Sequence, residues 1–318
     1  MGVRRAVDKV LDAAISADGP IHTYGPLIHN PQVLEMLEEK GIRRLDHIPD
    51  TGEGTVLIRA HGVPPRDETA LRKAGFDIIN ATCPRVIKVQ SIIRKHAENG
   101  YGVIIVGDKN HPEVTGLLGY AGEKGCTVSH PEELEQLPVF DNAVIVAQTT
   151  QDTSFFRTIK DRVRTLYPHY KIFDTICDST EKRQAEIREI AENHEAIVVV
   201  GGKDSGNTKR LSEIARNTGK PCAHIEEPEE LDRSFLSNTQ TIALTAGAST
   251  PNWIISKTCR EIEKKASNKG TGSKWAAAAR DFLLHTNIIL AAGAGCLTYA
   301  AARLQNLEHF FYHVQIAI

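Results

Sequence analysis

The sequence predicts an α/β fold built on parallel sheets, and three observations lead to that prediction. Short apolar, β-branched runs alternate with amphipathic helical stretches along most of the 318 residues. A stretch that begins at Cys83 recurs without a gap from Cys177 onward. Polar or glycine residues follow nearly every predicted strand, which is where ligands bind in open parallel sheets. We therefore expect similar α/β units whose functional residues lie in the turns after the strands.

The predicted strands are short continuous apolar runs, a pattern typical of parallel strands that are buried on both faces. They are Ile21–Tyr24, Thr55–Ile58, Val103–Val106, Ala143–Ala147, Ala196–Val200 and Thr241–Thr245. The helical stretches between them include Val3–Ile15, Val86–Glu98, Ser154–Tyr167 and Lys182–Glu192.

The internal repeat aligns Cys83 with Cys177, 94 residues apart. Each copy reads cysteine, helix, apolar strand and Gly-rich turn, so we expect the two cysteines to face a common centre. The same order at the N-terminus would place a third cysteine just before Met1, and we expect that the chain starts late, at an internal methionine. The predicted units are therefore 1–82, which lacks its first strand and cysteine, 83–176 and 177–266.

Residues 267–318, the C-terminal tail, differ in composition from the rest of the chain. Ser267 to Lys274 has the composition of a linker, and residues 282–302 carry no formal charge over a length sufficient to cross a bilayer. We expect a membrane helix or a fusion remnant here, with a buried helix as the alternative.

Charge and cysteine usage restrict the class of protein. The 38 basic and 40 acidic residues give no field that would favour nucleic acid, so we expect a small-molecule or protein partner. The six cysteines are dispersed, and neither a Cys-x-x-Cys motif nor a secretory signal is present. Both features favour a cytoplasmic location over a disulfide framework.

Three histidines lie in turns that follow predicted strands: His29, His61 and His111. Each alone is often a capped or solvated side chain, but their recurrence at strand ends indicates a shared site. Polar residues beside glycines in other turns, Ser205, Asn207 and Ser249, complete a set suited to an anion with several oxygens, such as a diphosphate.

Glu113 lies two residues after His111 in a His-Pro-Glu turn. A negative neighbourhood would raise its pKa and suit it to donate a proton, whereas an ordinary glutamate in a first helical turn is the alternative. Thr149 and Thr150 could orient a substrate hydroxyl, or could form the N-cap of the following helix.

The cysteines leave zinc, a disulfide and an iron–sulfur cluster open. Structural zinc usually takes closely spaced ligand pairs, which this spacing lacks. Three thiolates around one centre suit a 4Fe-4S cluster with one iron open to substrate.

Several short motifs in one order carry a resemblance to a known family. They are Leu27 to Asn30, Arg59 to Val63, Asn80 to Pro84, His111 to Gly116, Gln148 to Thr150, Ile176-Cys177 with Arg183-Gln184, and Thr245 to Ser249. From Met1 to about Lys265 the chain resembles the LytB/IspH family of 4-hydroxy-3-methylbut-2-enyl diphosphate reductases. That family opens with Gly-Phe-Cys, then Ala or Met, then Gly-Val, and this chain begins Met-Gly-Val.

The resemblance implies a trefoil of three α/β units around a 4Fe-4S cluster held by Cys83, Cys177 and the cysteine expected before Met1. It implies that the diphosphate is bound by His29, His61, His111, Ser205, Asn207 and Ser249, with a backbone contact at Gly206, where some members carry a second serine. It also implies that Thr149 supports the substrate hydroxyl and that Glu113 delivers a proton.

The resemblance further implies a reduction that yields isopentenyl or dimethylallyl diphosphate, with two electrons supplied by a ferredoxin, a flavodoxin or a similar donor. Two other readings stay open at this point. One is a truncated or degenerate homologue that binds a diphosphate without a functional cluster, and the other is a zinc hydrolase that uses the three histidines.

Overall fold

The computed structural model describes residues 2–232, 234–235, 239, 241–267 and 314–317, and these residues form three four-stranded sheets flanked by helices. All three sheets have the same order, in which the second strand lies at one edge, followed by the first, third and fourth. Every described strand pair is parallel except the last pair of the third sheet. The predicted α/β class with parallel sheets is confirmed.

The first sheet contains β1 (Ile21–Tyr24), β2 (Arg43–Leu45), β3 (Thr55–Ile58) and β4 (Asp77–Asn80). The second contains β5 (Gly102–Val106), β6 (Gly125–Val128), β7 (Ala143–Ala147) and β8 (Lys171–Ile172). The third contains β9 (Ala196–Val200), β10 (Cys222–Ile225), β11 (Thr241–Ala246) and β12 (Val314–Ala317). The predicted strands all occur, within a residue at each end.

The helices are α1 (Gly2–Ser16), α2 (Pro31–Glu39), α3 (Pro65–Ala74), α4 (Pro84–Ala97), α5 (Pro112–Ala121), α6 (Thr153–Leu166), α7 (Asp178–Asn193), α8 (Gly206–Asn217) and α9 (Asn252–Ser267). Helix α7 begins at Asp178, before the predicted Lys182, so each repeated cysteine immediately precedes a helix. This local geometry is what positions the cysteines at helix N-termini.

The central strands are buried because they are covered on both faces. All residues of β3, β5, β7 and β9 are buried, as expected for parallel strands between helical layers. Edge strands such as β2 are short and exposed, and their lack of an apolar run explains why the sequence pattern did not reveal them.

The described chain divides into two compact units. The first comprises residues 1–184 together with 204–210, and the second comprises 185–203 together with 211–318. The three-unit division at 82/83 and 176/177 stays a prediction. No helix among the described residues is long and apolar enough to span a bilayer, and the predicted membrane segment 282–302 lies outside the described residues.

Candidate active site

Three histidines from three different turns of the first unit form one cluster. The ring centroids of His29 and His61 are 4.6 Å apart, those of His61 and His111 are 5.3 Å apart, and those of His29 and His111 are 5.7 Å apart. His29 follows β1, His61 follows β3 and His111 precedes α5. Each therefore lies beyond the carboxyl end of a buried parallel strand, as the sequence analysis predicted.

Burial keeps these imidazoles neutral. It lowers the pKa of His29, and it lowers the pKa of His61 well below the ordinary value, with a further contribution from the neighbouring histidines. The pKa of His111 falls to about 4 for the same reasons. An anion that entered the cluster would oppose this shift, so its binding should be coupled to proton uptake.

A hydrogen bond fixes the tautomer of His111. The backbone N–H of Glu113 donates to Nδ1 of His111 over 3.1 Å, which makes His111 the N-cap of α5. Because Nδ1 is the acceptor, the single proton of the neutral ring lies on Nε2. Nε2 of His111 therefore presents an N–H donor, which suits a phosphate oxygen and not a metal ion.

This tautomer argues against the hypothesis that the three histidines hold zinc in a hydrolase. Nitrogen atoms of the three histidines lie within 4.8 Å of one another, close enough to be considered as a metal ligand set. A metal ligand must offer a lone pair, and the pairing of His111 with the backbone of Glu113 leaves none at Nε2. The geometry therefore favours an oxyanion as the ligand of the three histidines.

Glu113 lies in the first turn of α5 and is 2% exposed. Both of its carboxylate oxygens accept from Thr149, Oε1 from the backbone N–H at 2.7 Å and Oε2 from the side-chain Oγ1 at 2.8 Å. The two residues, from α5 and from the turn after β7, are thus held in one fixed arrangement.

The pKa of Glu113 is raised to about 7, mainly by burial. The two hydrogen bonds from Thr149 act in the opposite direction, and the charge of Asp108 raises the pKa a little further. The predicted direction of the shift is confirmed, but the expected cause, a negative neighbourhood, is secondary to burial. A carboxyl group with a pKa near 7 can both hold and release a proton at neutral pH.

The start of α8 belongs to the same compact unit. Ser205 and Asn207 are buried, at 6% and 5% exposure. A Cβ added at Gly206 would lie 3.0 Å from Nε2 of His111, so this backbone passes directly beside the histidine cluster. Among the described residues, the buried atoms Nδ2 of Asn207 and Nδ1 of His61 have no hydrogen-bond partner. Such unpartnered polar atoms indicate a site built for a polar ligand.

The two repeated cysteines lie close to these residues through their backbones. The N–H of Cys83 donates to the carbonyl of Ala60, next to His61, over 2.9 Å. The N–H of Cys177 donates to the carbonyl of Thr149 over 2.9 Å. Each cysteine is therefore one hydrogen bond away from a turn that carries a predicted substrate-binding residue.

The cysteines also lie at adjoining helix ends. Arg85 of α4 and Asp178 of α7 form an ion pair, which joins the first turns of the helices that follow Cys83 and Cys177. A Cβ added at Gly2 would collide with Sγ of Cys83, so the start of α1 also meets this point. Both thiols are half-buried and free of disulfides. Free thiols are the donors that an iron–sulfur cluster takes.

A profile of the LytB protein family matches residues 1–263. The chain belongs to the LytB protein family. Among its relatives are proteins named 4-hydroxy-3-methylbut-2-enyl diphosphate reductase. That of Pelobacter propionicus is 39% identical over 267 residues, which cover 83% of this chain and 95% of that protein. That of Oleidesulfovibrio alaskensis is 42% identical over 268 residues, which cover 83% of this chain and 95% of that protein.

Solved structures agree with this membership of the LytB family. The E-1-hydroxy-2-methyl-but-2-enyl-4-diphosphate reductase from Plasmodium falciparum matches with a TM-score of 0.78 and 28% identity, over 81% of this chain and 83% of that one. A structure described as (E)-4-hydroxy-3-methyl-but-2-enyl diphosphate reductase, the terminal enzyme of the non-mevalonate pathway, matches with a TM-score of 0.61 and 37% identity. It covers 83% of this chain and 95% of that one.

Most predicted site residues of this LytB chain meet in the first unit. Ser249 lies in the second unit, 7% exposed in the turn after β11, and its part in binding stays a prediction. The alternative of Thr149 or Thr150 as the N-cap of α6 is wrong, because Asp152 caps that helix by accepting from the N–H of Phe155.

Sequence reasoning assigned no role to Gln148 or Asp108, although both adjoin predicted residues. Gln148 is fully buried, and its Oε1 accepts from the N–H of Asp108 over 2.9 Å. Its Nε2 donates to Oγ1 of Thr150 over 3.0 Å. The sequence signal for Gln148 was its position directly after a predicted strand, where the other predicted site residues also lie.

Proposed function

We propose that this LytB family member removes the hydroxyl group of 4-hydroxy-3-methylbut-2-enyl diphosphate reductively and yields isopentenyl and dimethylallyl diphosphate, the last step of the non-mevalonate isoprenoid pathway. The observation that carries the proposal is Glu113, a buried carboxyl group with a pKa near 7. Thr149 fixes it, and the carbonyl of Thr149 accepts from Cys177. Thr149 thereby connects a proton donor with a proposed cluster ligand, an arrangement suited to the departure of a hydroxyl as water at a redox centre.

The diphosphate end of the substrate would lie against the histidine cluster and the start of α8. The residues proposed to bind it are His29, His61, His111, Ser205, Gly206 through its backbone, Asn207 and Ser249. The Nε2–H of His111 and the unpartnered amide of Asn207 donate without a prior protonation step. Burial strengthens such charge-assisted hydrogen bonds because water does not compete for the phosphate oxygens.

Cys83 and Cys177 would be two of the thiolate ligands of a 4Fe-4S cluster. When bound, the cluster supplies Lewis-acid activation of the hydroxyl and a path for two electrons. A ferredoxin, a flavodoxin or a similar donor is the proposed source of these electrons.

The chain's own residues then carry the proton. Thr149 keeps the carboxyl of Glu113 in place through its two donors. We assign its hydroxyl the further role of supporting the substrate oxygen. Protonated Glu113 releases its proton to the departing oxygen, which leaves as water. Its burial disfavours the carboxylate and raises its pKa to about 7, so that protonated Glu113 is available at neutral pH.

The test is Glu113→Gln in cluster-loaded protein, assayed anaerobically with reduced methyl viologen. We expect turnover to fall by at least about 10², the usual scale for a positioned acid, while substrate affinity stays within about threefold. Glu98→Gln, an exposed carboxylate just after α4, is the matched control and should leave turnover unchanged. Near wild-type turnover in Glu113→Gln would remove Glu113 from this role.

A further inference from the structure

The first turn of α8 is fastened to the turn after β5 by an ion pair that the proposed reaction does not use. One terminal nitrogen of the Arg210 guanidinium donates to Oδ1 of Asp108 over 2.6 Å, although the two residues are 102 positions apart. The Arg210 side chain is 18% exposed and that of Asp108 is 44% exposed. Arg210 is therefore mostly shielded from water, which strengthens the pair relative to a surface salt bridge.

Each partner is rigidly connected to a different half of the proposed diphosphate site. On one side, the carbonyl of Asp108 accepts from the N–H of His111 over 2.9 Å, and its own N–H donates to Gln148. The orientation of Asp108 is thus coupled to the histidine whose Nε2 faces the site.

On the other side, Arg210 lies one helical turn after Gly206 in α8. The same short segment, residues 204–210, carries Ser205 and Asn207 and folds with the first unit, whereas the residues that flank it on both sides belong to the second. The ion pair is one of the contacts that hold this segment against the turn of His111.

We propose that Asp108 and Arg210 are a positioning pair that holds the first turn of α8 against the His111 turn and so forms the diphosphate pocket before the ligand arrives. The proposal rests on the proposed diphosphate-binding function. Loss of the pair leaves every diphosphate ligand in the chain but allows Ser205 and Asn207 to move away from His111. Because the diphosphate is remote from the reacting oxygen, the effect falls on binding and not on the chemical step.

The experiment measures the dissociation constant of inorganic pyrophosphate by isothermal titration calorimetry on the full chain. Arg210→Met and Asp108→Asn should each weaken binding about tenfold, the scale of one partly buried charge-assisted hydrogen bond. The double variant should be no weaker than either single one, because the pair is lost only once. Arg210→Lys, which keeps the charge, should recover affinity to within about threefold of the wild type.

Lys109→Met is the matched control. Lys109 neighbours Asp108 but pairs with Glu133, over 2.7 Å, and not with α8. It should bind pyrophosphate like the wild type. In cluster-loaded protein, Arg210→Met should raise KM about tenfold and leave kcat within about twofold, a split that a loss of general stability would not produce.

The outcomes separate the two proposals. Wild-type chain that fails to bind pyrophosphate at all would contradict the diphosphate site itself. Two results would overturn the proposal of a positioning pair and leave the diphosphate site intact. One is a wild type that binds pyrophosphate and an Arg210→Met variant that binds it equally well. The other is a double variant in which the effects of the two single substitutions simply add. Equal loss in Lys109→Met would also overturn it.

Discussion

The stability of Glu113→Gln relative to the wild type should rise from acid to alkaline pH, although the substitution should cost activity. Burial raises the pKa of Glu113 from 4.5 to about 7. An acid with a raised folded-state pKa contributes stability that is fully present below its unfolded-state pKa and is lost as pH rises through its folded-state pKa. Glutamine has the same shape and no ionisable group, so the variant does not suffer this loss.

The magnitude follows from the shift. A displacement of roughly 2.5 pKa units corresponds to about 3 kcal/mol at about 1.4 kcal/mol per unit. Glu113 is 2% exposed, so solvent screening reduces the figure little. The free energy of unfolding of Glu113→Gln minus that of the wild type should therefore be constant below pH 4.5, rise between pH 4.5 and 7, and level off about 3 kcal/mol higher.

The assay is urea unfolding of both proteins, without added iron, followed by circular dichroism at a series of pH values from 5 to 8.5. Glu98→Gln, the same substitution at an exposed position, provides the control for the change of residue type. A difference between Glu113→Gln and wild type that stays flat across the series, or that falls as pH rises, would refute the burial argument.

Three further predictions concern the same site. Thr149→Val removes the hydroxyl donor at 2.8 Å, so the pKa of Glu113 should rise by about one unit. The alkaline limb of kcat/KM against pH should move to higher pH by the same amount. A limb that does not move would count against a role for this hydrogen bond. Cys83→Ser or Cys177→Ser should abolish the visible absorbance of a reconstituted cluster. Serine at Cys126, Cys222 or Cys259 should leave this absorbance unchanged. Burial raises the pKa of each of these three cysteines and keeps it a thiol. Gly206→Ala places a methyl group 3.0 Å from Nε2 of His111. It should weaken pyrophosphate binding about five- to tenfold, as measured by calorimetry. An unchanged affinity would show that the backbone at Gly206 is not part of the binding site.

The sequence predicted the sheets and the turns well because both depend on local pattern. Buried parallel strands require unbroken apolar runs, and β3, β7 and β9 appear with the predicted limits. The repeat predicted equivalent cysteines, and the structure places Cys83 and Cys177 immediately before equivalent helices. The histidines could be predicted as site residues because they follow the carboxyl ends of predicted strands.

The remaining features depend on contacts between distant residues. The tautomer of His111 follows from a backbone donor in its own turn, but its neutrality follows from burial, which a sequence does not display. The Asp108–Arg210 pair joins positions 102 apart, and nothing in either local pattern connects them. The pKa of Glu113 was predicted in direction but not in cause, because the extent of burial is a property of the packed fold.

The proposed function depends most on Cys83 and Cys177 as two ligands of a cluster, at a site that reductively removes the hydroxyl group of an allylic diphosphate. The most direct test is anaerobic iron and sulfide analysis with Mössbauer spectroscopy, on this chain and on a variant with Gly-Phe-Cys added before Met1. The account predicts roughly four irons per chain in the extended variant, and the loss of that signal in its Cys83→Ser and Cys177→Ser forms. No cluster in the extended variant, or a cluster that survives both substitutions, would contradict the claim and leave a diphosphate-binding homologue without redox chemistry.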